Sequence, residues 1–190
     1  MGHREELLAG AKQCLYERGY ARTTARDIVA VSGTNLASIG YHFGSKEALL
    51  TQALIEATKE WAAAVDAIWD TDPRAPLIER FEAMWITVVD SLVEHRNLWL
   101  STFEAFNQAE RLPELRRQLS GDVETARVAF GGLFGPAQEP ADERTERAIG
   151  SFYLALMQGV TVQRLLDPER APTGEDIALA FRALLTRFTP

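Results

Sequence analysis

The 190-residue chain is poor in the residues that catalysis and metal binding draw on, with one cysteine (Cys14) and three histidines (His3, His42 and His95). A lone cysteine excludes an internal disulfide. Its place among Leu7, Leu8, Ala11 and Leu15 at helical spacing predicts core packing rather than redox chemistry. No His-x-x-x-His or Cys-x-x-Cys spacing offers a metal site, and neither a Gly-x-Ser-x-Gly elbow nor a phosphate loop is present. The paired carboxylates Asp142-Glu143 and Glu175-Asp176 stand at helix starts, where they complement the helix dipole. The chain is therefore not read as an enzyme, and no cofactor or metal is expected. Apolar runs fall short of the roughly 20 residues that a membrane span needs, and the N-terminal MGHREELLAG has no apolar signal region, so the expectation is a cytoplasmic protein without a membrane partner. An alternating strand pattern is also missing, as are repeats and low-complexity tracts. What remains is an all-α chain whose hydrophobic fraction of 46% permits a substantial core.

The informative stretch is TTARDIVAVSGTNLASIGYHFGSKEALL, residues 23 to 50. Thr24 with Asp27 three residues on has the form of a capping box. Ile28 and Val31 supply one apolar face, and Ser32-Gly33 ends that helix. Asn35, or Thr34 before it, can accept the free N–H groups of a second short helix running through Leu36, Ala37, Ser38, Ile39 and Tyr41 to His42-Phe43, with Gly44 as its stop. Two short helices joined at a Gly turn make a helix-turn-helix. Small outward side chains on the second helix suit the major groove, where Ser38 is expected to hydrogen-bond base edges and Ala37 or Leu36 to touch thymine methyl groups. Tyr41, His42 and Lys46 are phosphate partners by type, Lys46 in the first turn of the following helix. Thr24, Arg26 and Asn35 complete the candidate DNA contacts.

These residues resemble the N-terminal motif of the TetR family of transcriptional regulators. The similarity is carried by Thr23, Thr24, Gly33, Tyr41, His42, Phe43, Ser45, Lys46, Glu47, Leu49 and Leu50, and covers about the first quarter of the chain. One departure is Gly40, which stands where the family often has an aromatic; a phosphate-contacting side chain is missing there and the helix end is loosened. A looser resemblance lies in Met157-Gln158-Gly159-Val160, Gln163 and Leu165-Leu166-Asp167-Pro168, similar to the end of the penultimate helix in many C-terminal domains of this family. It implies a three-helix DNA-binding domain, residues 1–48, and a helical ligand-binding and dimerisation domain, residues 49–190, with about nine helices in all. The last two helices, residues 141–167 and 173–188, are expected to pair with their copies in a homodimer, along stripes that include Ile177, Ala180, Phe181, Leu184, Leu185 and Phe188.

Charge is distributed to match. Residues 1–50 hold six basic against five acidic side chains, a net +1, whereas residues 51–190 hold 14 against 22, a net −8, so the acidic mass of this −7 chain lies away from the motif. Between motif and tail, the spacing predicts a long helix from Ser45 to about Trp69, a restart at Asp72-Pro73, a helix from His95 to Phe106, another opened by Pro113, and a surface loop from Gly135-Pro136 to about Ala141. Trp85, Trp99, Phe103 and Phe106 on these middle helices, with Phe152 and Met157 from the penultimate helix, are aromatic or soft apolar residues in the part of the chain where the resemblance implies a small-molecule cavity. Gln158, Thr102, Glu104 and Asn107 are the candidate polar anchors. The functional expectation is a transcriptional repressor released from its double-stranded DNA operator by a small apolar or aromatic effector. The alternatives are an architectural DNA-binding protein without a ligand, or an activator of the same family.

Overall fold

A computed structural model describes residues 2–68, 72, 74–133 and 142–188, without the side chains of Ile68 and Phe188. Among these residues the secondary structure is nine helices and no strand: α1 (His3–Arg18), α2 (Ala25–Ser32), α3 (Leu36–Phe43), α4 (Lys46–Ile68), α5 (Leu77–Glu94), α6 (Arg96–Ala109), α7 (Pro113–Gly131), α8 (Glu143–Leu166) and α9 (Gly174–Phe188). Helix starts follow their caps. Asp142 Oδ1 accepts the Thr145 N–H at 2.8 Å to open α8, Thr173 and Asp176 form the reciprocal box that opens α9, and Pro113 occupies the first position of α7. One start departs from expectation. Helix α5 begins at Leu77, and the Asp72 carboxylate instead receives the Arg74 N–H at 2.9 Å in a turn that precedes it. Trp69, Pro73 and the expected loop at Gly135 to Ala141 lie outside the described residues.

Packing divides the chain into two compact units. The first takes the chain up to Ala62 together with His95–Asp122. Its core is built from Leu7, Leu8, Ala11, Cys14 and Leu15 of α1, Ile28 of α2, Ile39 of α3, and Leu49, Leu50, Ala53 and Leu54 of α4, all buried. Leu98 and Trp99 of α6 join that core, Trp99 standing edge-on to Trp61 with ring centroids 4.7 Å apart. Helix α6 thus packs with the N-terminal helices.

The second unit comprises Ala63–Glu94 and the chain from Val123 onward. Helix α5 is its centre, burying Phe81, Met84, Trp85, Val88, Val89 and Leu92 on one face. Phe181 of α9 stacks on Phe81 at 4.4 Å and Arg182 pairs with Glu82, so α9 is fastened to α5 within one chain. Helices α7 and α8 cross at Gly150, where a Cβ would overlap the Arg127 carbonyl; only glycine permits that approach. Glu124 of α7 pairs with Arg127 of its own helix and, across the crossing, with Arg147 of α8.

Candidate nucleic-acid interface

The two short helices owe their shape to local chemistry. Thr24 Oγ1 accepts the Asp27 N–H at 3.2 Å while Asp27 Oδ2 accepts the Thr24 N–H at 2.9 Å, so the capping box at the start of α2 is complete. These bonds from Thr24, with the Arg18 guanidinium 2.7 Å away, hold the Asp27 carboxyl below the usual range. Gly33 ends α2 in the left-handed region at φ 68°, a conformation glycine adopts without strain, and Asn35 Oδ1 then accepts the Ser38 N–H at 3.0 Å to begin α3. Helix α3 continues through Gly40 to Phe43, and the Gly44 N–H closes it on the Gly40 carbonyl.

An eight-residue helix cannot stabilise itself, and α3 is held by its neighbours. Ile39 is buried and Arg4 of α1 lies over the Phe43 ring, 5.3 Å from its centroid. Ser38 is turned the same way. It is only 8% exposed, and its Oγ approaches His3 Nδ1 at 3.5 Å, the outer limit of a hydrogen bond. With His3 beside it, Ser38 faces α1, not the open side where base contact was expected. The open side carries Leu36, Ala37, Gly40 and Tyr41, the last 86% exposed and edge-on to His42 at 4.8 Å. Arg26 and Thr24 are exposed at the start of α2. Lys46 is half-buried. Its Nζ donates to the Thr23 carbonyl at 3.2 Å and lies 3.4 Å from Glu47, so it ties the first turn of α4 to the entry of α2.

What this arrangement can do is present a small, uncharged helix face flanked by a phenol, an imidazole and cationic side chains, the dimensions and chemistry of a major-groove reader. The contributions of His3 and Arg4 were invisible in the sequence because 35 or more residues separate them from their partners. The family model "Bacterial regulatory proteins, tetR family" matches residues 7–53, and the model "Tetracyclin repressor-like, C-terminal domain" matches residues 76–187. The chain belongs to the TetR family.

Among curated relatives, the HTH-type transcriptional regulator TtgR of Pseudomonas putida is 39% identical over 178 residues, covering 87% of this chain and 81% of the relative. The HTH-type transcriptional repressor DhaR of a Mycobacterium species is 24% identical over 186 residues, 96% of this chain and 92% of the relative. Among solved structures, the multidrug binding protein EbrR complexed with proflavin superposes with a TM-score of 0.68 at 24% identity, over 98% of this chain and 99% of that one. The protein is accordingly a DNA-binding transcriptional regulator and not an enzyme. Among the described residues, no helix is long and apolar enough to cross a membrane.

The six residues expected around an effector divide between the units. In the first, Trp99 is buried against Trp61, and half-buried Phe103 and Phe106 meet edge-to-face at 5.8 Å. In the second, Trp85 and Met157 are buried, whereas Phe152 is half open to solvent beside Tyr153, with ring centroids 5.7 Å apart. Burial pushes the Tyr153 phenol up. Phe152, Tyr153, Ile149 and Phe181 line a groove of about 680 Å³ together with the polar Asp142, Arg144 and Thr145. Of the expected anchors, Thr102 returns its hydroxyl to the Leu98 carbonyl of its own helix at 2.9 Å. Glu104 reaches the Ala21 N–H at 2.8 Å instead of an effector.

The stripes expected to pair two copies are exposed along α8 and α9. Ile149, Phe152, Val162 and Leu166 follow one another down α8, Leu166 being 81% exposed, and on α9 Leu184 and Leu185 are exposed to either side of Phe181, with Leu179 exposed on the opposite side of the helix. Phe181, counted in the same stripe from sequence, faces α5 of its own chain. The side chain of Phe188 lies outside the described residues.

Proposed function

We propose that the protein is a homodimeric repressor that leaves its operator when a small apolar or aromatic molecule binds. Base edges are read by Leu36 and Ala37, with the bare Gly40 permitting close approach. Phosphates are held by Thr24, Arg26, Tyr41, His42 and Lys46. Asn35 shapes the reading helix as its cap, and Ser38 braces it against α1. The observation that carries this reading is the exposed, almost uncharged face of α3, fixed by caps at both ends and supported from behind by Ile39.

A single module of this size holds DNA weakly, and two modules on a two-fold axis read half-sites about 34 Å apart. The apolar rows on α8 and α9 supply the surface for that pairing. Seven large hydrophobic side chains there are left open in the single chain, enough to form the apolar centre of an isologous interface. Effector candidates are Trp99, Phe103 and Phe106 in the first unit and Trp85, Phe152 and Met157 in the second, side chains of the kind that hold flat aromatic molecules. The capture of proflavin by EbrR illustrates such a ligand in the same fold. The test has two parts. Selection from random duplexes should return inverted repeats with half-sites one helical turn or a multiple apart, and dye or metabolite binding detected by thermal shift should loosen that duplex. Selection of non-repeated sequences by a monomer, or stabilising ligands that leave DNA affinity unchanged, would remove the dimer or the effector part of the proposal respectively.

A further inference from the structure

Helix α6 sends three side chains into the DNA-reading part of its unit. Asn97 Nδ2 donates to the Tyr16 carbonyl at 2.6 Å, Ser101 Oγ donates to the Leu15 carbonyl at 3.3 Å, and Glu104 Oε2 accepts the Ala21 N–H at 2.8 Å. The spacing 97, 101, 104 is a single helical stripe. Leu15 and Tyr16 lie in the last turn of α1, where carbonyls outnumber the helical N–H groups available to them. Ser101 is fully buried in that contact.

The third contact falls at a decisive place. Ala21 is in the short link from α1 to α2, three residues before the Thr24 cap. The link is gripped from inside by Thr23, whose Oγ1 donates to the Gly19 carbonyl at 2.7 Å, and by Lys46 on the Thr23 carbonyl. Glu104 grips it from the α6 side, and it sits so near that a Cβ on Gly19 would come within 3.3 Å of its carboxylate. The entry angle of α2, and with it the position of α3, is therefore set by Thr23 of the link itself and by side chains on two other helices, α4 and α6. Trp99 and Phe103 each lie two residues beyond a member of the stripe, about 200° round the helix. One helix carries the grip on one face and aromatic side chains on the other.

We propose that Asn97, Ser101 and Glu104 are positioning residues for operator recognition, with Glu104 fixing the α1–α2 link from which the reading helices start. The proposal rests on the assignment of α3 as the DNA reader. The test compares Glu104→Ala with Glu104→Gln in the full chain on the selected operator duplex. Both variants remove the same negative charge, so any general electrostatic gain in DNA affinity is common to them. Only glutamine keeps an oxygen that can accept the Ala21 N–H.

The alanine variant should bind about three- to tenfold more weakly than the glutamine variant, the range expected for one net hydrogen bond. Amide exchange at Ala21 should accelerate in the alanine variant while that of Leu8, in the middle of α1, stays unchanged. Equal operator affinity of the two variants, or unchanged exchange at Ala21, would overturn the proposal. Leu36→Ala and Lys46→Ala serve as reference. If neither weakens or redirects DNA binding, the reading face itself is misassigned and the proposal falls with it; if they do and the two Glu104 variants still bind alike, only the positioning role is lost.

Discussion

Leu184→Glu tests the pairing surface directly. Leu184 is 45% exposed in the single chain, on the open side of α9, so a partner can cover a little under half of it. Burying a whole leucine side chain is worth about 1.5–3 kcal/mol, which makes that share about 1 kcal/mol per copy. Two-fold symmetry counts it twice, about 2 kcal/mol per dimer. Glutamate loses that contribution and leaves an unpaired polar group at each of two equivalent positions, adding about 1–3 kcal/mol each. The sum is at least about 4 kcal/mol, or roughly a thousandfold or more in the dissociation constant. Leu184→Ala should lose only the apolar share, about thirtyfold. Sedimentation velocity at micromolar concentration reads the oligomer, and fluorescence anisotropy on the selected operator reads the consequence. Helical content by circular dichroism should be unchanged in both variants, because Leu184 is not part of the α5–α9 contact made by Phe181 and Arg182. A Leu184→Glu protein that sediments as a dimer at that concentration would refute the assignment of this face.

Other outcomes follow from particular contacts. Lys46→Ala should weaken binding to every duplex and reduce the slope of log affinity against log salt by about one, whereas Leu36→Ala should shift base preference at about 1–3 kcal/mol and Ser38→Ala should not; a change of preference from Ser38→Ala would put Ser38 back in the groove. Acid sensitivity comes from the capping aspartates. Asp27, Asp142 and Asp176 are all held below the ordinary carboxylate value by bonds from their Thr partners, so their stabilisation is complete above that value of about 3.9 and is lost as the pH falls through the depressed ones. Thermal unfolding monitored between pH 5 and pH 2 should therefore show a shallower decline in Asp27→Asn than in the parent chain, and parallel declines would argue against the box as the source. Burial pushes the Cys14 thiol up, with Arg18 opposing more weakly; labelling by a disulfide reagent at neutral pH should be slow in the native protein and complete on unfolding, and rapid native labelling would mean α1 opens locally.

What the sequence disclosed follows the range of the interactions concerned. Thr24 to Asp27, Asn35 to Ser38 and Thr173 to Asp176 are separated by three residues, so residue type and spacing specify the cap almost completely, and the structure contains all three. The same holds for the helix end at Gly33, where one backbone conformation decides the residue. Periodicity was less informative, because it shows that a face is apolar without showing what covers it. Phe181 and Leu184 stand on one predicted stripe of α9, yet one is stacked on Phe81 of its own chain and the other is open. A stripe wider than one neighbour can cover must divide, and the division depends on where α5 lies.

Polar side chains far from their partners were harder still. Glu104 had the residue type and the location of an effector anchor, and nothing within ten residues of it marks Ala21 as its partner; the bond spans 83 positions. Ser38 had the type of a base reader, but its neighbour Ile39 must enter the core, and a helix that buries position 39 brings position 38 toward α1 as well. Leu36, Ala37, Gly40 and Tyr41 are left as the exposed face of α3. Ala37 and Tyr41 stand about 160° from Ile39 and face away from the core, while Leu36 and Gly40, nearer to it in angle, stay exposed because α1 covers the helix on the side of Ser38. On the proposed reading, specificity rests on contacts to methyl groups and on close backbone approach at Gly40. Leu36→Ala should accordingly be the most damaging single change for the choice of base.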